Sequence, residues 1–577
     1  MTTDPDLADD TPTLHGHGGV HAVAAAQAHG VRTMFTLSGA HVFPLYDAAV
    51  GGREGFAAAG SDARTAERDA ALRLVDVRHE ATAAFAAEAT ARLTRTPGLA
   101  VVTAGPGVTN VVSPVTSASF NAAPVVVIGG RAPDFRAGTG ALQELDQPPL
   151  LAPVTKAAST IHDAEQIGQR TSAAFDLAMA AHRGPVFLDV PMDVLYSPVS
   201  APVPVAGPRA DRTPDPDDLA AAAALLRDAA HPVVVISSDV WGDRAEDAAR
   251  RFVETIGLPA ITTGMGRGVL PAGHPLLVTR ARSAAFAQAD LVIVVGAPLD
   301  FRLGYGVFGG KDGATPARVV HLVDHPSQVA GHAAALAASA AGDLSLVLDG
   351  VVSAWEEQVR HPSFADWVAR LRDIDAAARS GDAADLTSDR DPIHPARIYG
   401  ELLPRLTERT VVIGDGGDFV SFAGKYVEPA APGRWLDPGP YGCLGTGLGY
   451  AMAAKIAHPD DPVVLLLGDG AAGFSLLDVD TLVRHGLPVV MVMGNNSAWA
   501  LEKGPMQLLH GYDVVADLRP GTRYDEVVTA LGGGGETVTR PGEIGAALDR
   551  AMASGIPYLV NVVTDPAVAY PRTTTGL

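Results

Sequence analysis

Long apolar runs without polar alternation, each followed by a segment of helical periodicity, constrain the fold of this chain most. A strand buried on both faces has no polar face, so its sequence is continuously apolar, as in a parallel sheet covered by helices. The pattern therefore predicts an α/β protein built from doubly wound parallel sheets. The runs lie at 99–104, 123–130, 231–238, 258–263, 290–296, 318–324, 410–415, 461–470, 487–496 and 556–565.

Two polar stretches divide these runs into three blocks. The first, at 197–218, is rich in proline, which lacks a backbone donor and favours an extended linker. The second, at 376–395, is poor in large apolar residues. We therefore predict three doubly wound parallel-sheet domains in series, each of a size typical of domains. Their expected bounds are 13–195, 215–352 and 393–577, the last including a C-terminal tail.

The charge balance restricts the partners of the chain. Its 577 residues include 43 Lys and Arg against 65 Asp and Glu, a formal net charge of −22. A surface this negative repels phosphate backbones and anionic lipid head groups, so we expect neither a nucleic acid nor a membrane as partner. An anionic ligand must be held locally, by backbone amides, a metal ion or a few placed arginines.

Cysteine content and the N-terminal sequence bear on the compartment. The single cysteine, Cys443, cannot form an internal disulfide, and no Cys or His cluster has the spacing of a zinc site. Residues 1–10 lack the basic and apolar regions of a signal peptide, and no apolar run reaches the roughly 20 residues of a membrane span. We therefore expect a cytoplasmic protein.

Polar residues follow two neighbouring apolar runs of the last block. One run leads into an aspartate between two glycines, and the next run ends in two asparagines. Because ligands bind beyond the carboxyl ends of parallel strands, we expect these side chains to share a site. Carboxylate and carboxamide oxygens suit Mg²⁺ or Ca²⁺, so the pattern predicts a metal-bridged diphosphate site. The residues are Gly468, Asp469, Gly470, Asn495 and Asn496.

The same glycines also fit a dinucleotide site. Gly468, Gly470 and Gly473 satisfy the G-x-G-x-x-G pattern between a strand and a helix. That interpretation leaves Asp469 and the paired asparagines without a role, and no acidic residue ends the next strand to bind a ribose hydroxyl. We therefore favour the metal-bridged diphosphate, with the helix start near 471–472 donating amides to it.

The Gly-Asp-Gly motif, followed after 24 residues by Asn-Asn, resembles the signature of thiamine diphosphate enzymes. The resemblance covers about residues 13–570 and implies pyrimidine-binding, central and diphosphate-binding domains. It also implies thiamine diphosphate and Mg²⁺ as cofactors, with Asp469 and Asn496 as side-chain metal ligands and the carbonyl of Ala498 as the third. The other residues expected to bind the cofactor are Asp418, Leu444, Gly468, Gly470, Ala471 and Ala472.

A second match lies in the first block. Segment 77–92, VRHEATAAFAAEATAR, resembles the Arg-His-Glu motif and following helix of the same family, which places Glu80 at the position of the catalytic glutamate. In such enzymes this carboxyl group binds the aminopyrimidine and favours the tautomer that deprotonates the thiazolium. The alternative is that Glu80 only caps the helix that it begins.

Two further segments agree with the family. Segment 103–133, which contains Asn110 and Phe120, resembles its S-G-P-G-x-T-N stretch. Segment 441–457 resembles its G-x-M-G stretch, with Leu444 in place of the methionine that props the two rings of the cofactor. Because the two halves of the site come from different protomers in this family, the resemblance implies at least a homodimer, and we expect a homotetramer.

Within the family, the chain resembles acetolactate synthases, oxalyl-CoA decarboxylases and 2-hydroxyacyl-CoA lyases. Segments 264–275 and 280–306 are similar to the lyases, which cleave a 2-hydroxyacyl-CoA to formyl-CoA and an aldehyde or ketone, reversibly. We therefore predict a lyase whose substrate is a small acyl-CoA. The resemblance makes Arg282 and the strand-end Asp324 candidates for holding an ADP or CoA moiety in the central domain; the alternative for Arg282 is a surface charge.

The lyase reaction needs a base in reach of the 2-hydroxyl group. Glu502, on the loop beyond the Asn-Asn motif, is our candidate, with His41 and Gln143 as its polar partners. The alternative for Glu502 is a solvated charge beside Lys503.

Other segments lean toward the synthases. Segments 140–146 and 153–156 resemble the Q-E and P-V-T-K stretches of these enzymes. The alternative function is therefore an acetolactate synthase-like joining of decarboxylated pyruvate to a second 2-ketoacid, with FAD as a bound relic. A third class, a non-catalytic binding subunit, is disfavoured by the intact Glu80, Asp469 and Asn496.

The C-terminal residues 568–577 run past the last predicted strand. They are expected either to fold over the mouth of the active site as a lid or to form a disordered end.

Overall fold

The computed structural model describes residues 12–51, 72–310 and 315–570. The chain divides into two compact units, Met1–Ala210 and Asp211–Leu577. The described part of the first unit contains one large parallel sheet, and that of the second contains two. The prediction of three parallel sheets covered by helices is therefore confirmed, with the second and third sheets in one unit.

The described part of the first unit contains a parallel sheet and a separate antiparallel pair of short strands. Its strands are β1 Thr13–His17, β2 Thr33–Thr36, β3 Arg73–Asp76, β4 Gly98–Val102, β5 Val125–Arg131, β6 Ala157–Thr160, β7 Val186–Pro191 and β8 Pro198–Pro202. Its helices are Gly18–Ala28, Phe43–Ala49, Glu80–Thr94, Pro106–Thr109, Val112–Phe120, Pro148–Leu151, Ile167–Met179 and Met192–Tyr196.

Strand order places a switch point in the middle of the first sheet. The order is β3-β2-β4-β5-β7-β6, all parallel. The chain leaves β2 toward β3 on one side and returns to β4 on the other side, which opens a crevice at the carboxyl ends of β2 and β4. Strands β1 and β8 pair antiparallel apart from this sheet.

The central sheet opens the second unit. Its strands all run parallel. They are β9 Pro232–Ile236, β10 Ala260–Thr262, β11 Leu291–Val295, β12 Arg318–Val323 and β13 Leu336–Ala341. They are arranged β10-β9-β11-β12-β13. The helices around them are Pro216–Arg227, Ser238–Gly242, Glu246–Ile256, Arg282–Gln288, Leu344–Glu356 and Ala365–Leu386.

The third sheet is also parallel and has the same kind of switch point. Its strands are β14 Val411–Asp415, β15 Trp435–Leu436, β16 Val463–Gly468, β17 Val490–Asn495, β18 Gly534–Val538 and β19 Tyr558–Val563. The order β15-β14-β16-β17-β19-β18 puts the switch between β14 and β16. Its helices are Pro395–Leu402, Asp418–Tyr426, Gly447–Ala457, Asp469–Ser475, Val479–Arg484, Ala500–His510, Tyr524–Ala530 and Ile544–Ala553.

The predicted strands are buried on both faces. Each side chain from Val464 to Leu467 is 0% exposed, so both faces of β16 lie under helices. This explains why the strand sequences lack polar alternation. Among the described residues, no helix combines the length and apolar character that crossing a bilayer requires.

The polar stretch at 376–395 is helical over its first half, because helix Ala365–Leu386 continues into it. This helix buries two aspartates, Asp375 and Asp382, where an amphipathic helix normally buries apolar residues. The carboxylate of Asp382 pairs with Arg280 and with Lys425, the latter at 2.6 Å. Paired buried charges give a helix a polar sequence, so composition alone suggests a linker.

The proline-rich stretch at 197–218 is extended, as predicted. Its first part forms the strand β8, which pairs with β1 only. Proline is tolerated there because β8 has a free edge that needs no backbone donor. Helix Pro216–Arg227 then begins with a proline, and its first turn is capped by the side chain of Asp215.

Candidate active site

A cleft of about 440 Å³ opens at the switch point of the third sheet. It lies where the carboxyl ends of β14, β16 and β17 meet, as expected for a doubly wound sheet. Most residues that the sequence assigns to the cofactor and the metal line this cleft. They are Asp418, Leu444, Gly468, Asp469, Gly470, Ala471, Asn496, Ala498 and Glu502. Ala472 is fully buried in the helix that Asp469 begins.

Asp469 is a buried carboxylate held by backbone amides. It is 3% exposed and accepts hydrogen bonds from the N–H of Gly470 at 3.1 Å and of Ser497 at 2.7 Å. Burial raises its pKa to about 6. Among the described residues, no cationic side chain pairs with it. A buried carboxylate that no cationic side chain neutralises is a suitable ligand for a divalent metal ion.

The helix after β16 begins earlier than predicted. Asp469 is its first residue and Gly468 its N-cap, whereas the sequence suggested a start near 471–472. The free amides of the first turn therefore lie directly beside the carboxylate, at the edge of the cleft. They are the groups that bind a phosphate at a helix N-terminus.

The loop after β17 holds the other predicted metal ligands. The side-chain Oδ1 of Asn496 accepts from the N–H of Ala498 at 3.2 Å, which leaves lone pairs available. Ser497 between them has φ +55°, a left-handed conformation. The loop is pinned to segment 516–518, because Trp499 donates to the carbonyl of Ala516 and Leu518 donates to that of Ser497, both at 2.8 Å.

Two glycines of the cleft are required by close packing. A Cβ atom added at Gly470 would lie 2.4 Å from the ring of Trp499, and one added at Gly417 would lie 2.3 Å from Leu501. The backbone on both sides of the cleft is therefore covered directly by the loop after β17. A side chain at either position would push this loop away from Asp469.

Glu502 reaches the cleft from the first turn of helix Ala500–His510. The residue is exposed to solvent, and its N–H donates to the carbonyl of Trp499 at 3.1 Å. Its neighbour Lys503 turns to Asp517 and Asp513 instead of Glu502.

The chain end described by the structure lies beside the same cleft. The N–H of Tyr570 donates to the carboxylate of Asp418 at 2.6 Å, and its ring meets Phe422 edge-on at 5.2 Å. Residues 571–577, which carry most of the predicted lid, lie outside the described residues. The lid stays a prediction.

Asn495 does not line the cleft with Asn496. Its amide points into the sheet, where Nδ2 donates to Oδ1 of Asn561 on β19 at 3.0 Å. Sequence reasoning missed Asn561, although the polar residue in the apolar run YLVNVV is a detectable signal.

In the first unit, Glu80 begins helix Glu80–Thr94 and is 7% exposed. The cap of this helix is the side chain of His79, whose Nδ1 accepts from the N–H of Ala81 at 3.1 Å. Glu80 is therefore free of the capping role that was its alternative interpretation. Its Oε2 accepts instead from Nδ2 of Asn110 at 2.9 Å.

His41 follows β2 and Gln143 follows β5, the two strands on either side of β4 in the first sheet. His41 is 7% exposed, its Nδ1 lies 3.0 Å from the hydroxyl of Thr103, and burial lowers its pKa. Gln143 has φ +60° and packs against Gly105. A Cβ atom added at Gly105 would lie 2.9 Å from the Cβ of Gln143. Both residues thus lie beside the segment that follows β4.

Gln147 is a buried residue of this region that the sequence did not single out. It is 0% exposed, accepts from the N–H of Gly105 at 2.8 Å, and donates to the carbonyl of Gly130 at 3.0 Å. It therefore fixes the turn against which Gln143 packs. A lone glutamine in a loop gives no sequence signal of burial.

The two candidates of the central domain differ in burial. Arg282 is half-buried, and its guanidinium donates to the carbonyl of Arg302 and lies over the ring of Phe286 at 5.1 Å. Desolvation and the nearby Arg267 lower its pKa, and both interpretations of this residue stay predictions. Asp324 follows β12 and is 1% exposed, and its backbone carbonyl accepts from Arg212 at 3.1 Å.

Comparison with protein-family models gives three consecutive matches. Residues 17–150 match the thiamine pyrophosphate enzyme, N-terminal TPP binding domain, and residues 219–351 match the central domain of the same enzymes. Residues 415–562 match the C-terminal TPP binding domain. Each matched segment covers strands of one of the three parallel sheets.

Named relatives match nearly the whole chain. A probable acetolactate synthase of Mycobacterium bovis and the acetolactate synthase large subunit IlvG of Mycobacterium tuberculosis are each 46% identical over 567 residues, 98% of this chain and 98% of each relative. The human 2-hydroxyacyl-CoA lyase 2 is 32% identical over 575 residues, 91% of this chain and 86% of the relative. With matched models over most of its length and relatives of this similarity, the chain belongs to the thiamine pyrophosphate enzyme family.

Proposed function

We propose that this protein uses thiamine diphosphate and Mg²⁺ to join two 2-ketoacids, as an acetolactate synthase does. The observation that carries the cofactor assignment is the buried, cation-free carboxylate of Asp469 beside Asn496 in the cleft. The 46% identity to proteins named acetolactate synthase favours this reaction over the lyase reaction that the sequence motifs put first.

The residues of the cleft fit the group that the family binds. Asp469 and Asn496 would hold Mg²⁺ by their side-chain oxygens and Ala498 by its carbonyl, which are hard oxygen ligands. Amides of the first turn such as that of Ala471 would bind the diphosphate, and Gly470, whose N–H donates to Asp469, would let the backbone approach it closely. When bound, thiamine diphosphate supplies a nucleophilic carbon and stabilises the carbanion left by decarboxylation.

The residues nearest the reacting atoms would hold and move protons. Glu80, fixed by the amide of Asn110, would hold a proton at the aminopyrimidine. Leu444 lines the cleft where an apolar side chain would prop the two rings. Glu502 would exchange a proton with the oxygen of the bound substrate, with His41 and Gln143 as polar partners.

One incubation separates the two reactions. The purified protein with thiamine diphosphate and Mg²⁺ is offered pyruvate and a short 2-hydroxyacyl-CoA together, and products are read by mass spectrometry. Acetolactate supports the synthase. Formyl-CoA with an aldehyde or ketone replaces it with the lyase, and neither product rejects both.

The role of Glu502 is tested by Glu502→Gln. We expect turnover to fall by about a hundredfold, the usual contribution of a general acid or base, with cofactor affinity unchanged. Glu526→Gln is the matched control, because Glu526 lies in the first turn of another helix of the same unit and does not line the cleft. Unchanged turnover in Glu502→Gln removes this residue from the mechanism.

A 2-hydroxyacyl-CoA lyase is the second candidate, and two half-buried arginines favour it. Desolvation lowers the pKa of Arg282 and of Arg267, which lie close enough to affect one another. Among the described residues, neither forms an ion pair with a carboxylate, and the carboxylates of Asp437 and Asp300 act on them only from a distance. Partly desolvated guanidinium groups without a directly paired carboxylate suit an anionic ligand such as the phosphates of ADP or CoA.

The two candidate functions predict different ligands in the central domain, and this difference can be measured. A synthase is expected to carry FAD, which the absorbance spectrum of the purified protein reveals. A lyase is expected to bind ADP or CoA, and Arg282→Gln should then raise KM for the acyl-CoA and leave thiamine diphosphate affinity unchanged. Unchanged KM removes Arg282 from ligand binding. Of Arg282 and Asp324, Asp324 is the less favoured candidate for ligand binding, because it is 1% exposed.

We also propose that the enzyme works as a homodimer or homotetramer. Exposed apolar side chains support association: Phe474 and Leu477, beside the cleft helix, are 62% and 63% exposed, and Phe120 of the first unit is 57% exposed. The resemblance to the family implies that Glu80 of one protomer serves the metal site of another. Light scattering after size exclusion should give a mass of at least two chains, and a monomer with full activity contradicts the proposal.

A further inference from the structure

A line of hydrogen-bonded side chains crosses the third sheet behind the cleft. Nδ2 of Asn495 donates to Oδ1 of Asn561 at 3.0 Å, and Nδ2 of Asn561 donates to the hydroxyl of Thr537 at 2.9 Å. That hydroxyl donates in turn to Oδ1 of Asp525 at 2.7 Å. We call these four residues, Asn495, Asn561, Thr537 and Asp525, the polar relay.

The register of the sheet fixes the polar relay. Strands β17, β19 and β18 are neighbours, and Asn561 on β19 stands opposite Met493 on β17 and Thr537 on β18. Asn495 lies two residues after Met493, hence on the same face. Asn495 and Asn561 are 2% and 0% exposed, so neither amide has water as an alternative partner.

The carboxylate at the far end sets the direction of every hydrogen bond. Asp525 only accepts, so the hydroxyl of Thr537 must donate to it and must accept from the amide of Asn561. The carbonyl of Asn561 then accepts from the amide of Asn495. The oxygen of Asn495 is thereby turned toward the loop after β17, an orientation that the amide alone does not determine.

At the loop, the polar relay meets Ser497. Oδ1 of Asn495 lies 3.3 Å from both the N–H and the hydroxyl of Ser497, and both donate to it. The same N–H donates to Oδ2 of Asp469 at 2.7 Å. Ser497 has φ +55°, a left-handed backbone conformation that a residue other than glycine adopts only when its surroundings enforce it.

We propose that the polar relay positions the metal site. By holding Ser497 in the left-handed conformation, it aims the N–H at Asp469 and directs the next residue, Ala498, whose carbonyl is the third predicted metal ligand. Asn495, Asn561 and Thr537 are thus positioning residues that act through Ser497. This inference rests on the proposed binding of Mg²⁺ and thiamine diphosphate at the cleft.

Thr537 offers the cleanest test, because it lies three residues along the polar relay from Ser497. Thr537→Val keeps the shape of the side chain and removes the hydroxyl, whereas Thr537→Ser keeps the hydroxyl. Thr537→Val removes the hydroxyl that accepts from Asn561 and from Nε of Arg523 and donates to Asp525, so we expect thiamine diphosphate binding to weaken by about tenfold at limiting Mg²⁺. Thr537→Ser should restore wild-type affinity. Isothermal titration calorimetry at low and saturating Mg²⁺ measures both.

Val562→Ala is the matched control for a purely structural effect. Val562 is the next residue of β19, faces the opposite side of the sheet and is 0% exposed in the apolar core. Its truncation should lower the melting temperature without changing thiamine diphosphate affinity. Asn561→Leu supplies a second break in the polar relay if Thr537→Val does not yield folded protein.

The outcomes separate this inference from the proposed function. If the wild-type protein does not bind thiamine diphosphate with Mg²⁺, the proposed function fails. If the wild type binds and Thr537→Val binds equally well at limiting Mg²⁺, the positioning role is overturned. A parallel loss of affinity in Val562→Ala also overturns it, because the effect would then follow stability alone.

Discussion

Glu80 and Asp469 occupy equivalent places in two different sheets. Each is the first residue of a helix that follows a parallel strand, and they are 7% and 3% exposed. Their partners differ. Glu80 accepts from one side-chain amide, that of Asn110, whereas Asp469 accepts from backbone N–H groups of Gly470 and Ser497.

The difference indicates two kinds of chemistry from one structural position. A single side-chain donor fixes one oxygen of Glu80 and leaves the other for a ligand group, which suits a carboxylate that exchanges a proton. Backbone donors cannot be moved by a rotamer change, so the amides around Asp469 hold its oxygens in a fixed place. A fixed pair of oxygens suits a metal ion, whose bond lengths tolerate little variation.

The largest effect is expected at Asp469. Asp469→Asn replaces one oxygen by an N–H₂ group that cannot ligate a metal ion, so activity should fall at least about a thousandfold. Mg²⁺ and thiamine diphosphate together should raise the melting temperature of the wild type, and chelation with EDTA should reverse this. The variant should show neither shift. A normal shift in Asp469→Asn contradicts the assignment of this residue as a metal ligand.

Glu80→Gln should separate chemistry from binding. The amide keeps the size of the side chain but does not exchange protons, so kcat should fall by about a hundredfold or more. Affinity for thiamine diphosphate, measured by calorimetry, should change little, in contrast to Asp469→Asn. If binding is lost and kcat of the residual enzyme is normal, the two carboxylates do not differ in the way the structure indicates.

A smaller effect is expected from the partner of Glu80. Asn110→Ala removes the side-chain amide that donates to Oε2, and the misoriented carboxylate should lower kcat by about fivefold to tenfold, the scale of one hydrogen bond. Asn121→Ala is the matched control, because Asn121 donates to Glu88 of the same helix at 2.7 Å. Equal losses of kcat in both variants would assign the effect to the helix as a whole.

Much of the fold was predictable because buried parallel strands are continuously apolar. The ten runs chosen from the sequence all contain strands of the structure. Several of the strands outside these runs are rich in small and polar residues, such as β6 (AAST), β13 (LAASAA) and β18 (GGETV). β6, β13 and β18 lie at the edges of their sheets, where a strand has a neighbouring strand on one side only and needs less apolar cover.

The site was predictable where chemistry imposes a residue type at a fixed spacing. Asp469 and Asn496 line one cleft, because their strands are neighbours in a parallel sheet. The supporting residues were not predictable. Asn561 and Gln147 act through tertiary contacts with residues 66 and 42 positions away, and a single sequence records neither contact.

The smallest effect concerns a third buried carboxylate beside the same switch point. Asp415 ends β14, is 0% exposed, and accepts from the N–H groups of Gly445 at 3.0 Å and Gly447 at 2.8 Å. Burial raises its pKa to about 6, above the value of about 3.9 expected in the unfolded chain. Between these values the folded state binds more protons than the unfolded state, so stability falls as the pH rises.

Asp415→Asn should therefore flatten part of the pH profile of stability. From these pKa values, ionisation of Asp415 should cost the wild type about 1 to 2 kcal/mol of unfolding free energy between about pH 5 and pH 8. The variant lacks this cost but also loses one acceptor, so its stability should be lower at pH 5 and should approach that of the wild type as the pH rises. Melting temperatures measured without Mg²⁺ at several pH values test this. Parallel profiles for the two proteins would mean that the backbone amides offset the effect of burial on the pKa of Asp415 fully.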